Sequence, residues 1–183
     1  YAYADVRNHH KVIKFFEKGY SIFKELNDFD ALVGTCLDLG YCYMHINGDL
    51  EKSLEYYTLA NTISIEQNHK NLGLLCGNLG LGMHYTYIGD FVKGDKYLLK
   101  SIDISNKIDD NLFLELCSVA LGQSLFCQGK YQEALNRFQT AFNSTEKTTS
   151  RLWVINWLLG IFACRKKLDL EIDYEIIKLK MKK

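Results

Sequence analysis

The sequence predicts an all-α fold built from repeated helix hairpins. Three observations carry that prediction. None of the 183 residues is proline, so the strongest helix breaker is missing throughout. Apolar residues recur at steps of three and four, as in Tyr131, Ala134, Leu135, Phe138, Ala141 and Phe142, which is the rhythm of a helix with one buried face. Sliding the chain against itself also superimposes "INGDLEKSLEYYTLA" (46–60), "IGDFVKGDKYLLKS" (88–101) and "QGKYQEALNRFQTA" (128–141), a repeat near forty residues.

Each element follows from that register. Upstream of the three segments lie the pairs Leu39-Gly40, Leu81-Gly82 and Leu121-Gly122, spaced by 42 and 40 residues. Each pair marks a first helix. Gly48, Gly89 and Gly129 stop those helices, because glycine adopts the left-handed conformation that closes a helix end. A second helix then starts, with a small residue (Ser53, Gly94, Ala134), a large one (Tyr57, Leu98, Phe138) and another small one (Ala60, Ser101, Ala141). The hairpins occupy 29–68, 71–108 and 112–147, the first fitting with one extra residue around Asn47. Ile13, Phe16 and Gly19 mark the second helix of a partial repeat over 1–28. Trp157, Leu159 and Gly160 mark the first helix of a partial or capping repeat over 149–183, whose turn "RKKLD" lacks the glycine. In its last segment, "DLEIDYEIIKLKMKK", Leu170, Ile172, Tyr174 and Ile176 alternate as a strand would, but Leu170, Tyr174, Ile177 and Met181 also form a helical stripe, and a helix is expected because an isolated strand has no partner. The chain opens on Tyr1 and is expected to be a single domain, 1–183, excised from a larger protein.

The motif of Leu-Gly, an aromatic or Leu three residues on, Gly-x-aromatic-x-x-small, and then large and small three apart resembles the tetratricopeptide repeat (TPR). Two repeats match without gaps: Leu81, Gly82, Tyr85, Gly89, Phe91, Gly94, Leu98, Ser101; and Leu121, Gly122, Leu125, Gly129, Tyr131, Ala134, Phe138, Ala141. The resemblance implies a right-handed superhelical solenoid, here of a long-repeat subclass of about forty residues found in signalling adaptors and bacterial regulators. It also implies that first helices line a concave groove, with Tyr41, Met44, His45, Leu79, Met83, Tyr87, Gln123, Phe126 and Trp157 at groove positions. Groove-lining Lys and Arg, used by members that grip chaperone tails, are absent from the first helices of the three full repeats.

Chemistry is sparse. There is no phosphate loop, no His-Glu-x-x-His and no Gly-x-Ser-x-Gly, so no enzyme, cofactor or metal is expected. His45 and His84 read as partly buried imidazoles, and the Asp109-Asp110 pair as a loop or helix cap. The six cysteines are dispersed with no Cys-x-x-Cys, which reads as buried thiols of a reducing cytoplasm. Lys plus Arg equals Asp plus Glu at 22 each, and Lys52, Lys93, Lys96, Lys100 and Lys107 alternate with acids as on a solvated outer face. Neither nucleic acid nor membrane is an expected partner.

One stretch decides the functional reading. Residues 71–88 contain no Lys, Arg, Asp or Glu and include Gly73, Gly77, Gly80 and Gly82. The length reaches the ~18 residues of a membrane span, but the repeat register makes the stretch a first helix. It is apolar on two opposite sides, Leu81 and Tyr85 on one, Leu79, Met83 and Tyr87 on the other. A first helix touches several neighbours, so ordinary core competes with a binding groove as the explanation. The expected function is a non-catalytic protein-interaction module taking a peptide or helix, another domain of the parent chain, or a second copy. The alternative is a ligand- or peptide-sensing regulatory domain of a signalling or transcription-regulating protein.

Overall fold

A computed structural model describes residues 6–66, 72–144 and 151–171. All the regular elements there are helices: α1 (Val6–Leu26), α2 (Phe29–Cys42) continued by a π-helical turn (Tyr43–Asn47), α3 (Leu50–Glu66), α4 (Leu72–Tyr87), α5 (Phe91–Lys107), α6 (Asn111–Cys127), α7 (Tyr131–Ser144) and α8 (Arg151–Lys167). The stripe expected at Tyr174, Ile177 and Met181 lies outside the described residues. Packing divides the chain into two compact units, 1–108 and 109–183.

The turns are built as the sequence chemistry dictates. Gly48, Gly89 and Gly129 have φ of 70°, 84° and 79°, the left-handed conformation that costs glycine least. Asn27, Asp109 and Asp169 take the equivalent place after α1, α5 and α8, with φ of 53°, 55° and 52°, as short polar side chains tolerate. Four aspartates then open the next helix. Asp28, Asp49, Asp90 and Asp110 accept hydrogen bonds from the backbone N–H of Ala31, Lys52, Lys93 and Phe113 at 3.0–3.2 Å. Each satisfies an N–H that the helix cannot. Asp109-Asp110 is thus a stop followed by a start.

The extra residue near Asn47 is absorbed inside the helix. At the ends of α4 and α6, Asp90 N donates to Tyr85 O and Lys130 N to Leu125 O, five residues back. After α2, Asp49 N reaches Tyr43 O, six back, at 2.9 Å. The π turn takes up the slip, as single π-helical turns within α-helices do, and α3 starts in register.

In unit 1–108, α1 packs on α2, α2 on α3, α3 on α4, α4 on α5, and α2 also on α4. Ile13, Leu39, Cys42 and Tyr43 form a core with Phe16, Tyr20 and Tyr56 around it. The glycines of α4 explain how so many elements crowd one helix. A Cβ on Gly73, Gly77 or Gly80 would strike Ser64, Asn61 or Tyr57 of α3, and one on Gly82 would come within 2.6 Å of Leu98 of α5. Polar ties reinforce these crossings: Ser101 Oγ donates to Leu75 O at 3.0 Å, and Ser53 Oγ lies 3.4 Å from His84 Nδ1. In unit 109–183, α6 packs on α7, and α8 on both. Its core holds Cys117, Leu121, Leu125, Leu135, Phe138, Trp157 and Cys164.

Candidate functional site

With α2, α3 and α5 around it, α4 has little free surface. Leu75, Cys76, Leu79 and Leu81 are buried, so most of the uncharged run is interior. At the C-terminal end Met83 is half-buried and Tyr87 is 54% exposed. No helix among the described residues is long and apolar enough to cross a membrane.

The nine groove positions therefore separate. Met44, Leu79 and Trp157 are core, at 2%, 4% and 1% exposure. A partner cannot reach them here, and their apolarity is accounted for by packing. Phe126 is half-buried, with its ring 5.2 Å from Tyr131 across the α6–α7 turn. Gln123 is exposed on α6. Tyr41, His45 and Tyr87 are surface residues, and unit 1–108 brings them together. The imidazole lies 4.4 Å from the Tyr41 ring and 5.4 Å from the Tyr87 ring, the latter nearly perpendicular at 89°.

This cluster depends on the π turn, since His45 sits within it. Two more residues complete the face. Asp38 precedes Tyr41 by three positions and His45 by seven, and so shares their side of α2. It is exposed, with no ion-pair partner among the described residues. Partial burial raises its carboxyl above the usual range. Loss of water likewise lowers His45, which keeps the imidazole neutral at pH 7. Asp30 adds a second exposed carboxylate, whereas neither α2, its π turn nor α4 carries Lys or Arg.

Tyr57 lies beneath. It belongs to α3, yet its ring is wedged between Gly40 of α2 and Gly80 of α4. The side chain is fully buried, and its hydroxyl has no hydrogen bond. Burial first, then the neighbouring Tyr41 phenol, raise its pKa, while the nearby Ser53 hydroxyl lowers it, and Asp38 is felt there too. Sequence reasoning places Tyr57 in the core and does not single out Asp38. The available signal was Tyr57 itself, the only polar atom at a position where the sister repeats have Leu98 and Phe138.

The opposite side of the hairpins looks different. Tyr43 stacks on Tyr56 at 5.5 Å and Tyr85 on Tyr97 at 5.7 Å, with planes within 8°. Lysines cover them: Lys52 over Tyr43, Lys93 over Tyr85, Lys100 over Tyr97, at 4.9–5.6 Å. No group of three metal-ligating side chains occurs among the described residues.

Comparisons place this architecture. Residues 73–147 match the family model for the tetratricopeptide repeat, the stretch that holds the two gap-free repeats. No curated protein matches the sequence. Among solved structures, BtubC (BKLC) from P. vanneervenii is similar with a TM-score of 0.69 at 17% identity, over 88% of this chain and 67% of that one. A putative kinesin light chain of Podosopora anserina with nearly identical TPR-like repeats gives 0.59 at 13% identity, over 88% and 79%. A glutamine-to-methionine variant of that protein gives 0.61 at 14%, with the same coverage. The fold is a TPR-like helical repeat, a class that typically mediates protein–protein interaction and is typically non-catalytic.

Proposed function

We propose that this chain of tetratricopeptide repeats is a non-catalytic interaction module that binds a peptide or helix on the face formed by α2, its π turn and α4. One observation carries the reading: Tyr41, His45 and Tyr87 converge at the surface beside half-buried Met83, while most of α4 is interior. Aromatic rings and methionine give large contact area with little ordering cost, which suits a recognition surface. The free thiols, five of them buried, favour a cytoplasmic setting.

The test is selection of a displayed random-dodecapeptide library on the full chain, followed by binding to variants. Met83→Glu and Tyr87→Glu are each expected to weaken selected peptides at least tenfold, by burying a carboxylate against apolar contact. The melting curve is expected to stay within a few degrees of the parent. Peptides indifferent to both variants, or variants that fail to fold, would show the face to be packing surface only.

A further inference from the structure

We infer that this face recognises a basic side chain, a lysine or arginine of the bound peptide, held between the Asp38 carboxylate and the rings of Tyr41, His45 and Tyr87. The inference rests on the peptide-binding reading above and deepens it. Three independent features support it.

The first is charge. The chain as a whole is neutral, with 22 basic and 22 acidic side chains. The face is not: residues 29–47 and 72–87 contribute Asp30 and Asp38 and no Lys or Arg. Asp38 is partly stripped of water with no cation within ion-pair distance among the described residues. A carboxylate so placed gains from an incoming cation more than a fully solvated one does. His45, held neutral, adds no opposing charge.

The second is the use of aromatic rings. On the other side of the same hairpins, lysines of this chain lie over Tyr43, Tyr85 and Tyr97, where the negative ring face attracts a cation. The His45 and Tyr87 rings meet other rings, and no lysine of the described residues lies over either. The His45 ring shares its side of α2 with the Asp38 carboxylate.

The third is the Tyr57 hydroxyl. It is buried with no hydrogen bond of ordinary geometry, near Ser53 and Tyr41, in a slot that exists only because Gly40 and Gly80 lack side chains. Phenol oxygen accepts hydrogen bonds, so a guanidinium or ammonium reaching past Tyr41 supplies the missing donor. An apolar guest covering this face would strip water from Asp38 without replacing it.

The library selection discriminates. Selected peptides are expected to share Arg or Lys at one fixed position. Their affinity should fall about tenfold in Asp38→Asn and in Tyr87→Ala, and weaken as salt rises. Replacing the peptide's basic residue by Glu should abolish binding to the parent and restore it to Asp38→Lys. Asp38 is exposed, so these variants are expected to melt with the parent. Peptides that depend on Met83 and Tyr87 but lack a basic position, or that bind Asp38→Asn unweakened, overturn the basic guest and leave the peptide-binding face standing. Failure to select any peptide, or indifference to both Met83→Glu and Tyr87→Ala, overturns both.

Discussion

Tyr57 in unit 1–108 and Phe138 in unit 109–183 occupy the same repeat position and do the same mechanical task. Each is buried, and each drives an aromatic ring from a second helix between glycines of two first helices: Gly40 and Gly80 for Tyr57, Gly122 and Gly160 for Phe138. The rings differ by one oxygen and in the tightness of the slot. A ring there is thus what the fold needs. The hydroxyl is an addition, present where the face above carries Asp38, Tyr41 and His45 and absent where the corresponding second helix lies under Gln123. Structure and recognition are separable at one side chain.

The largest expected difference lies in the glycines. An alanine Cβ at Gly40 would overlap the rigid Tyr57 ring, whereas at Gly122 it would meet Phe138 at 3.1 Å, a squeeze of tenths of an ångström. Alanine gains about 1 kcal/mol over glycine in a helix, set against overpacking of about 1–3 kcal/mol or more. Gly40→Ala should therefore lose about 2 kcal/mol in urea denaturation, and Gly122→Ala stay within about 1 kcal/mol of the parent. Equal losses would mean that both slots are equally tight.

Exchanging the oxygen is a smaller perturbation with opposite signs. Tyr57→Phe removes a buried, unsatisfied group and should raise stability by about 1 kcal/mol, while weakening selected basic peptides. Phe138→Tyr should cost about 1–3 kcal/mol. A Tyr57→Phe protein that is less stable than the parent would reveal a partner for the hydroxyl in solution and remove it from the recognition argument.

The smallest expected effect is pH dependence. His84, buried against Ser53, and His45 both have pKa values lowered by loss of water, and unit 109–183 has no histidine. Folding favours their neutral forms, so the unfolded chain takes up protons first as pH falls. Their contribution is full above about pH 6.5 and is lost as pH drops toward the lowered folded values. Amide exchange protection in 1–108, corrected for intrinsic rates, should decline between pH 7.5 and 5.5, and His84→Asn should flatten that decline. An unchanged slope in the variant excludes His84 as its source.

Most of the architecture was legible because a repeat writes each rule several times. Three Leu-Gly pairs and three turn glycines fix the helices, and the misfit at Asn47 marks the insertion. The site was legible only in part. Met44, Leu79 and Trp157 occupy groove positions in the repeat, yet a first helix is flanked on several sides, and periodicity alone does not say which flank is filled. Tyr41, His45 and Tyr87 share a face by register, but their convergence depends on how the backbone accommodates one surplus residue. Tyr57 was hidden for a related reason. It reads as core, and its ring is core, while what distinguishes it is a single atom at the far end.

The π turn carries one more implication. A residue inserted into a regular helix swings everything beyond it by about 100°, which would misdirect the whole following hairpin. Confined to Tyr43–Asn47, the surplus is spent before Gly48, and only the last turn is re-aimed. Chain length, rather than side-chain identity, then becomes an adjustable parameter of the surface. A repeat array built this way can acquire a new specificity at one rung without renegotiating the packing of any other.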